Sequence, residues 1–233
     1  LAQGFRNTAD NMSIAQGNGN IAEVKSLAQG ETNTASWYSL GQGHSNSAYW
    51  YSHAEGEGNS AHGFSLAQGI LNGAYNSSMV QGNANSAYIL SLVQGESGYA
   101  TDASISQGHG NSADHRSIAQ GSGNKASYNS LAQGKNNSAY WYSIAQGINN
   151  TAMGYSQAFG ISTSAAKSGM AIGTYNNIAS AAFVIGNGTS DTARSDCFII
   201  DHDGSVSACG DIQSNGISLS ALYNAFTAYT ASH

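Results

Sequence analysis

The residues of this chain that could do chemistry are thirteen carboxylates, seven histidines, two cysteines and a set of paired aromatics. General acid–base work and glycoside cleavage need two carboxylates a few ångströms apart, and Asp10, Glu23, Glu31 and Asp114 each stand singly. Asp201-x-Asp203-Gly204 begins like a calcium loop but lacks the remaining ligands, so it reads as a turn. Cys197 and Cys209 are too few for a disulfide scaffold and lack partners at metal-ligand spacing. The aromatics carry more. Trp37-Tyr38, Trp50-Tyr51 and Trp141-Tyr142 are doublets, and Tyr49, Tyr75, Tyr88 and Tyr140 recur near them. Exposed rings bind the apolar faces of sugars, so these residues are the candidate ligand-binding set; packing between copies of the chain is the alternative. No catalytic, cofactor-binding or metal constellation emerges, which predicts a protein that is not an enzyme and needs no cofactor.

What positions these side chains is a repeat of 13 residues. From Leu1 the chain divides without insertion or deletion into LAQGFRNTADNMS, IAQGNGNIAEVKS and so on, down to IAQGINNTAMGYS at 144–156. Twelve clean copies are followed by three degenerate ones beginning at Gln157, Met170 and Phe183. The consensus is [Leu/Ile]-Ala-Gln-Gly-x-x-Asn-x-Ala-x-x-x-Ser. Position four is glycine in all fifteen copies, position seven is Asn in eleven of the clean twelve with Gly98 the exception, and position nine is always Ala in the twelve. The aromatic doublets occupy positions eleven and twelve, and the extra tyrosines position ten.

A helical repeat needs more than about 30 residues for two helices and a turn, so a unit this short must be one coil of a β-solenoid. Two strands of about four residues, joined at Gly (position four) and Asn (position seven) as left-handed corners, make the coil. Stacking at the strand spacing of about 4.8 Å turns fifteen coils into a rod of roughly 70 Å. On that spacing His44 and His109, five coils apart, cannot share a metal. Alternation puts position one and position three on one face and the position-two Ala on the other. Because position three changes from Gln to Phe159, Ile172 and Ile185 in the last copies, it is expected to be buried, with the glutamines hydrogen-bonded as a ladder; capping of neighbouring turns is the alternative. One branched aliphatic per coil is too little core for a free-standing chain, and the Ala stripe is expected to let identical chains approach closely.

Composition agrees. The 233 residues include 29 glycines, no proline and 9% charged residues, as continuous sheet with glycine turns requires. A net charge of −6 from scattered residues predicts no nucleic-acid partner, and no apolar run reaches the roughly 18 residues of a membrane span. Opening on Leu1 inside a repeat, the sequence reads as a fragment of something longer.

The segments Ser13-Ile14-Ala15-Gln16-Gly17, Ser26-Leu27-Ala28-Gln29-Gly30 and Gly169-Met170-Ala171-Ile172-Gly173 resemble the head repeats of YadA-like trimeric autotransporter adhesins. The resemblance covers about residues 1–190, and this chain departs from it in carrying Gln where the family usually has an apolar residue. It implies an all-β fold, a left-handed parallel β-roll assembled as a homotrimer. Ala182 to Thr189, Arg194-Ser195-Asp196 and Ile200 to Gly204 are similar to segments that follow such repeats in phage and prophage tail fibres. Together these imply a trimeric fibre module for host attachment in a virion tail, facing a host-surface glycan or protein receptor. A bacterial cell-surface adhesin is the alternative, and a tailspike glycan hydrolase a more distant one.

Beyond the roll, residues 191–216 predict a β-hairpin cap. With His202, Asp203 and Gly204 as its loop, Asp201 pairs with Ser205 and Cys197 falls opposite Cys209. A disulfide is then geometrically allowed, although assembly of a virion protein in reducing cytoplasm favours free thiols. In 217–233, Leu219, Leu222, Phe226 and Tyr229 are spaced three, four and three, the seam of a short helical neck; a frayed amphipathic tail is the alternative.

Overall fold

A computed structural model of the chain describes residues 1–214 and 217–231. Each coil contributes positions two to five, usually with position one, to a long sheet, and positions eight to ten to a second one. In the long sheet the strands run from Ala2–Phe5 to Phe183–Asn187, every neighbour parallel and 13 residues away: Ile14 lies beside Leu27, Gln16 beside Gln29, Met170 beside Phe183. The second sheet has thirteen strands, from Thr8–Ala9 to Ser164–Ala166. The chain is therefore a parallel β-solenoid of about fourteen turns, with no membrane-length apolar helix among the described residues.

The interior is not where alternation by hydrophobicity put it. The position-two and position-nine alanines face each other across the coil and are fully buried, from Ala15 and Ala22 to Ala145 and Ala152. Position one points outward: Ile14, Met79, Ile105 and Ile118 are 37–50% exposed. The position-three glutamines lie on that same outer face, exposed or half-buried, so their expected burial is overturned. The expected ladder does form over two stretches, Gln3 to Gln29 and Gln68 to Gln146, with Nε2 donating to the Oε1 13 residues earlier, as from Gln94 to Gln81 at 3.1 Å and from Gln107 to Gln94 at 2.9 Å. The alanine stripe likewise faces the chain's own second sheet and no partner. A 13-residue coil closes its two sheets so tightly that a methyl group usually fills the gap; the largest side chains inside are Val80, Val93 and Val184, and the leucines and isoleucines of position one stay outside.

What completes this thin interior is polar. Asn46 is fully buried at position seven. Its Nδ2 donates to the Gln42 carbonyl in its own coil and the Gly56 carbonyl in the next, at 2.8 and 2.7 Å. Its Oδ1 accepts from the Asn59 backbone N–H at 2.9 Å. The same pattern recurs along the rod, so each buried amide is satisfied and ties its own coil to the next. Buried position-thirteen serines form a second column, in which Ser39 N–H donates to Ser26 Oγ at 3.1 Å and Ser52 N–H to Ser39 Oγ at 3.2 Å.

Glycine at position four is forced twice. Gly56 has φ +115°, and a Cβ there would sit 2.0 Å from the Gly69 carbonyl oxygen. The second expected corner is corrected: Asn at position seven keeps negative φ, and the left-handed residues are at positions six, eleven and twelve, among them Thr32, Val24, Trp37 and Tyr38. Non-glycine residues pay a conformational cost there of order 1 kcal/mol or more. Inter-coil bonds such as Tyr51 N–H to the Trp37 carbonyl, 2.9 Å, offset it.

The rod is closed at its C-terminal end. The second strand is lost in the fourteenth coil, and the Asp196 carboxylate accepts the freed N–H groups of Asn177 and Ile178, both at 2.8 Å. Arg194 Nη1 donates to the Ser162 carbonyl at 2.9 Å. Asp196–Ile200 then pairs antiparallel with Phe183–Asn187, so the hairpin continues the long sheet. Asp201 N–H donates to the Ser205 carbonyl at 2.9 Å, as the loop assignment requires. Cys197 and Cys209 are disulfide-bonded, with Cα atoms 4.7 Å apart, so the preference for free thiols is overturned. A helix, Leu219–Ala231, follows with Leu219, Leu222 and Phe226 exposed. The Tyr229 side chain and residues 215, 216, 232 and 233 lie outside the description.

Candidate binding edge

Because positions eleven and twelve are left-handed, their side chains project from the turn and stack at the coil spacing. Trp37 and Trp50 lie parallel with centroids 5.3 Å apart. Tyr38, Tyr51 and Phe64 continue as a second column, at 4.9 and 5.2 Å. Lys25 extends this column: its Nζ donates to the Tyr38 hydroxyl at 3.0 Å, which holds its pKa above the ordinary lysine value. On the outer face of the second sheet, Tyr49, His62, Tyr75 and Tyr88 form a third column, with Tyr75 and Tyr88 5.0 Å apart. Tyr142 stacks on Tyr155 at 5.1 Å.

The sequence therefore located the rings but not their state. Trp37, Tyr38, Trp50 and Tyr51 come together, as do Tyr75 and Tyr88, whereas Trp141 and Tyr142 lie seven coils beyond Trp50, roughly 34 Å along the rod. Faces about 5 Å apart are already occupied by each other, and a sugar ring does not fit between them. Only ring edges and the terminal faces of a stack are free. His62, Phe64, Tyr155 and Lys25 were missed as members, although each occupies position ten or twelve of its coil and could have been found from that register.

The stack also assembles a cluster from residues that look isolated in sequence. His115 Nδ1 is 2.6 Å from Asp114 Oδ2, and its Nε2 is 3.6 Å from Asp102 Oδ2 in the coil before. These donor atoms lie within 4.8 Å of one another. Both imidazole nitrogens already face carboxylates, so holding a cation would require His115 to give up one contact. The signal was Asp102 and His115 sharing position eleven in successive coils.

Fold and surface define a class: a short-period parallel β-solenoid that displays stacked side chains along its turn edges. No family model matches the chain, and no curated protein matches it. Among solved structures, the crystal structure of the polySia-specific acetyltransferase NeuO aligns over 99% of this chain and 98% of that one, at 12% identity and a TM-score of 0.14. A likeness at that level carries no argument about fold or chemistry.

Proposed function

We propose that the chain is one protomer of a left-handed homotrimeric β-roll that serves as a stiff, non-catalytic attachment rod. The single observation that carries this is the outer face of the long sheet. Its row of Leu, Ile and Met is left half open to water along the rod, while the interior holds mostly alanine methyls, amides and hydroxyls, with Val80, Val93 and Val184 its largest apolar side chains. Burying a branched aliphatic completely is worth roughly 1.5–3 kcal/mol, so pairing this face with copies of itself supplies the apolar burial that the thin interior lacks. The repeat's resemblance to YadA-like heads supports three copies, and the similarity of the C-terminal segments to phage and prophage fibres supports a virion tail as the setting. A bacterial cell-surface head remains the second reading, supported by the same repeats.

Native mass spectrometry tests the assembly. The expected species is three times the 23.9 kDa protomer, and Ile105→Lys with Ile118→Lys should break it into smaller ones. A well-folded wild type that stays at one protomer mass would overturn the reading.

A further inference from the structure

Trp141 differs from every other aromatic at the turn edge. It is 61% exposed, and its nearest ring, Tyr128, meets it edge-on at 75° and 6.5 Å, so neither face carries a parallel partner. In the next coil position eleven is Gly154, where a Cβ would meet nothing within 4 Å. The result is a cavity of about 230 Å³ lined by Tyr140, Trp141, Met153 and Gly154. One coil further, position eleven is Lys167, exposed and without an ion-pair partner among the described residues. Two coil spacings separate Trp141 from Lys167, about 10 Å. That leaves room for one ring lying flat on the indole with the ammonium beyond it. Two coils before Trp141, Arg116 projects from position twelve of the same edge and is also exposed.

Charge marks the same stretch. Beyond Asp114, which shares coil nine with Arg116, the chain as far as Ser190 has four basic residues, Arg116, Lys125, Lys135 and Lys167, and no acidic one; the remainder has three basic residues and all thirteen acidic ones. The net −6 thus conceals a basic segment centred on the open Trp141 face.

We propose that the turn edge of coils nine to thirteen binds an acidic oligosaccharide, with one sugar ring over Gly154 against Trp141 and carboxylates met by Lys167 and Arg116. A single-stranded nucleic acid would also stack, but Lys125 and Lys135 occupy positions eight and five, away from this edge, so only two cations line it. That is too few to track a phosphate at every residue, and it suits more widely spaced carboxylates. The inference deepens the attachment reading and rests on it only for the use made of the ligand.

The test presents the native oligomer with immobilised uronic-acid oligosaccharides, neutral glucans of equal length and single-stranded oligonucleotides. Carboxylated sugars should bind at least tenfold tighter than neutral ones, and less tightly as salt rises. Trp141→Ala should lose binding at least tenfold. Gly154→Trp should do the same by filling the gap, with a fold already precedented by Trp50 over Trp37. Lys167→Gln should reduce the preference for carboxylates several-fold. The inference is overturned if no carboxylated sugar binds, if oligonucleotides bind better, if Gly154→Trp binds like wild type, or if either Trp141→Ala or Gly154→Trp changes the native mass, which would place this edge between protomers. Adhesion of the same variants to intact cells separates the readings. Cell binding that survives Gly154→Trp removes the slot and leaves attachment, whereas sugar binding without any cell binding does the reverse.

Discussion

Coils four and eight are built on the same thirteen positions yet are held differently. In coil four Asn46 satisfies one carbonyl of its own coil and one carbonyl and one N–H of the next. In coil eight Gly98 stands in its place. It still donates its N–H to Asn85 Oδ1 at 2.7 Å, but offers no amide to the Gln94 and Gly108 carbonyls and no oxygen to the Asn111 N–H. The vacated volume is taken by Val93, whose Cγ1 lies 2.7 Å from where a Gly98 Cβ would be. Val80, Val93 and Ser106 replace the usual position-two alanine in coils seven to nine, and Ser106 Oγ donates to the Asn111 carbonyl at 3.0 Å. The ladder is thus interchangeable with packing for one coil.

The most severe way to break this comparison is Gly56→Ala. A backbone oxygen, not a flexible side chain, occupies the Cβ position, and φ is left-handed, so a loss of more than about 4 kcal/mol is expected in urea unfolding. A loss under 1 kcal/mol would mean that the coil spacing is not fixed by position four. Next is Asn46→Ala, which leaves buried carbonyls and an N–H without partners and should cost about 3 kcal/mol. Near-neutral behaviour would show that water replaces the ladder. The finest test is a double-mutant cycle at coil eight. Gly98→Asn alone should destabilise by roughly 1–3 kcal/mol through overlap with Val93. Combined with Val93→Ala it should recover, with a coupling of about 1–2 kcal/mol, and strict additivity would sink the exchange of packing for ladder.

The hairpin register was legible because Asp203-Gly204 fixes a turn, and from the turn the pairing of Cys197 with Cys209 follows by counting. The disulfide itself was not, since cell compartment argued the other way and only the cross-strand approach of the two residues decides it. Arg194 and Asp196 show the same limit. Their sequence context marks a boundary, but that they seal the rod's open end depends on which N–H groups the lost strand frees. At the turn edge, Trp37 and Trp50 were legible as neighbours from register alone. That they occupy each other's faces, and that Trp141 has a free one because Gly154 follows it, requires the turn geometry.

By itself the sequence determined the period, the parallel in-register stacking and the need for glycine at position four, because a strict 13-residue repeat leaves backbone pairing no other solution. Only the tertiary structure decided which face of each strand is inside. Alternation has two solutions, and hydrophobicity chose the leucines. The narrow gap within a 13-residue coil admits nothing larger than valine among the described residues, and it turns the leucines outward.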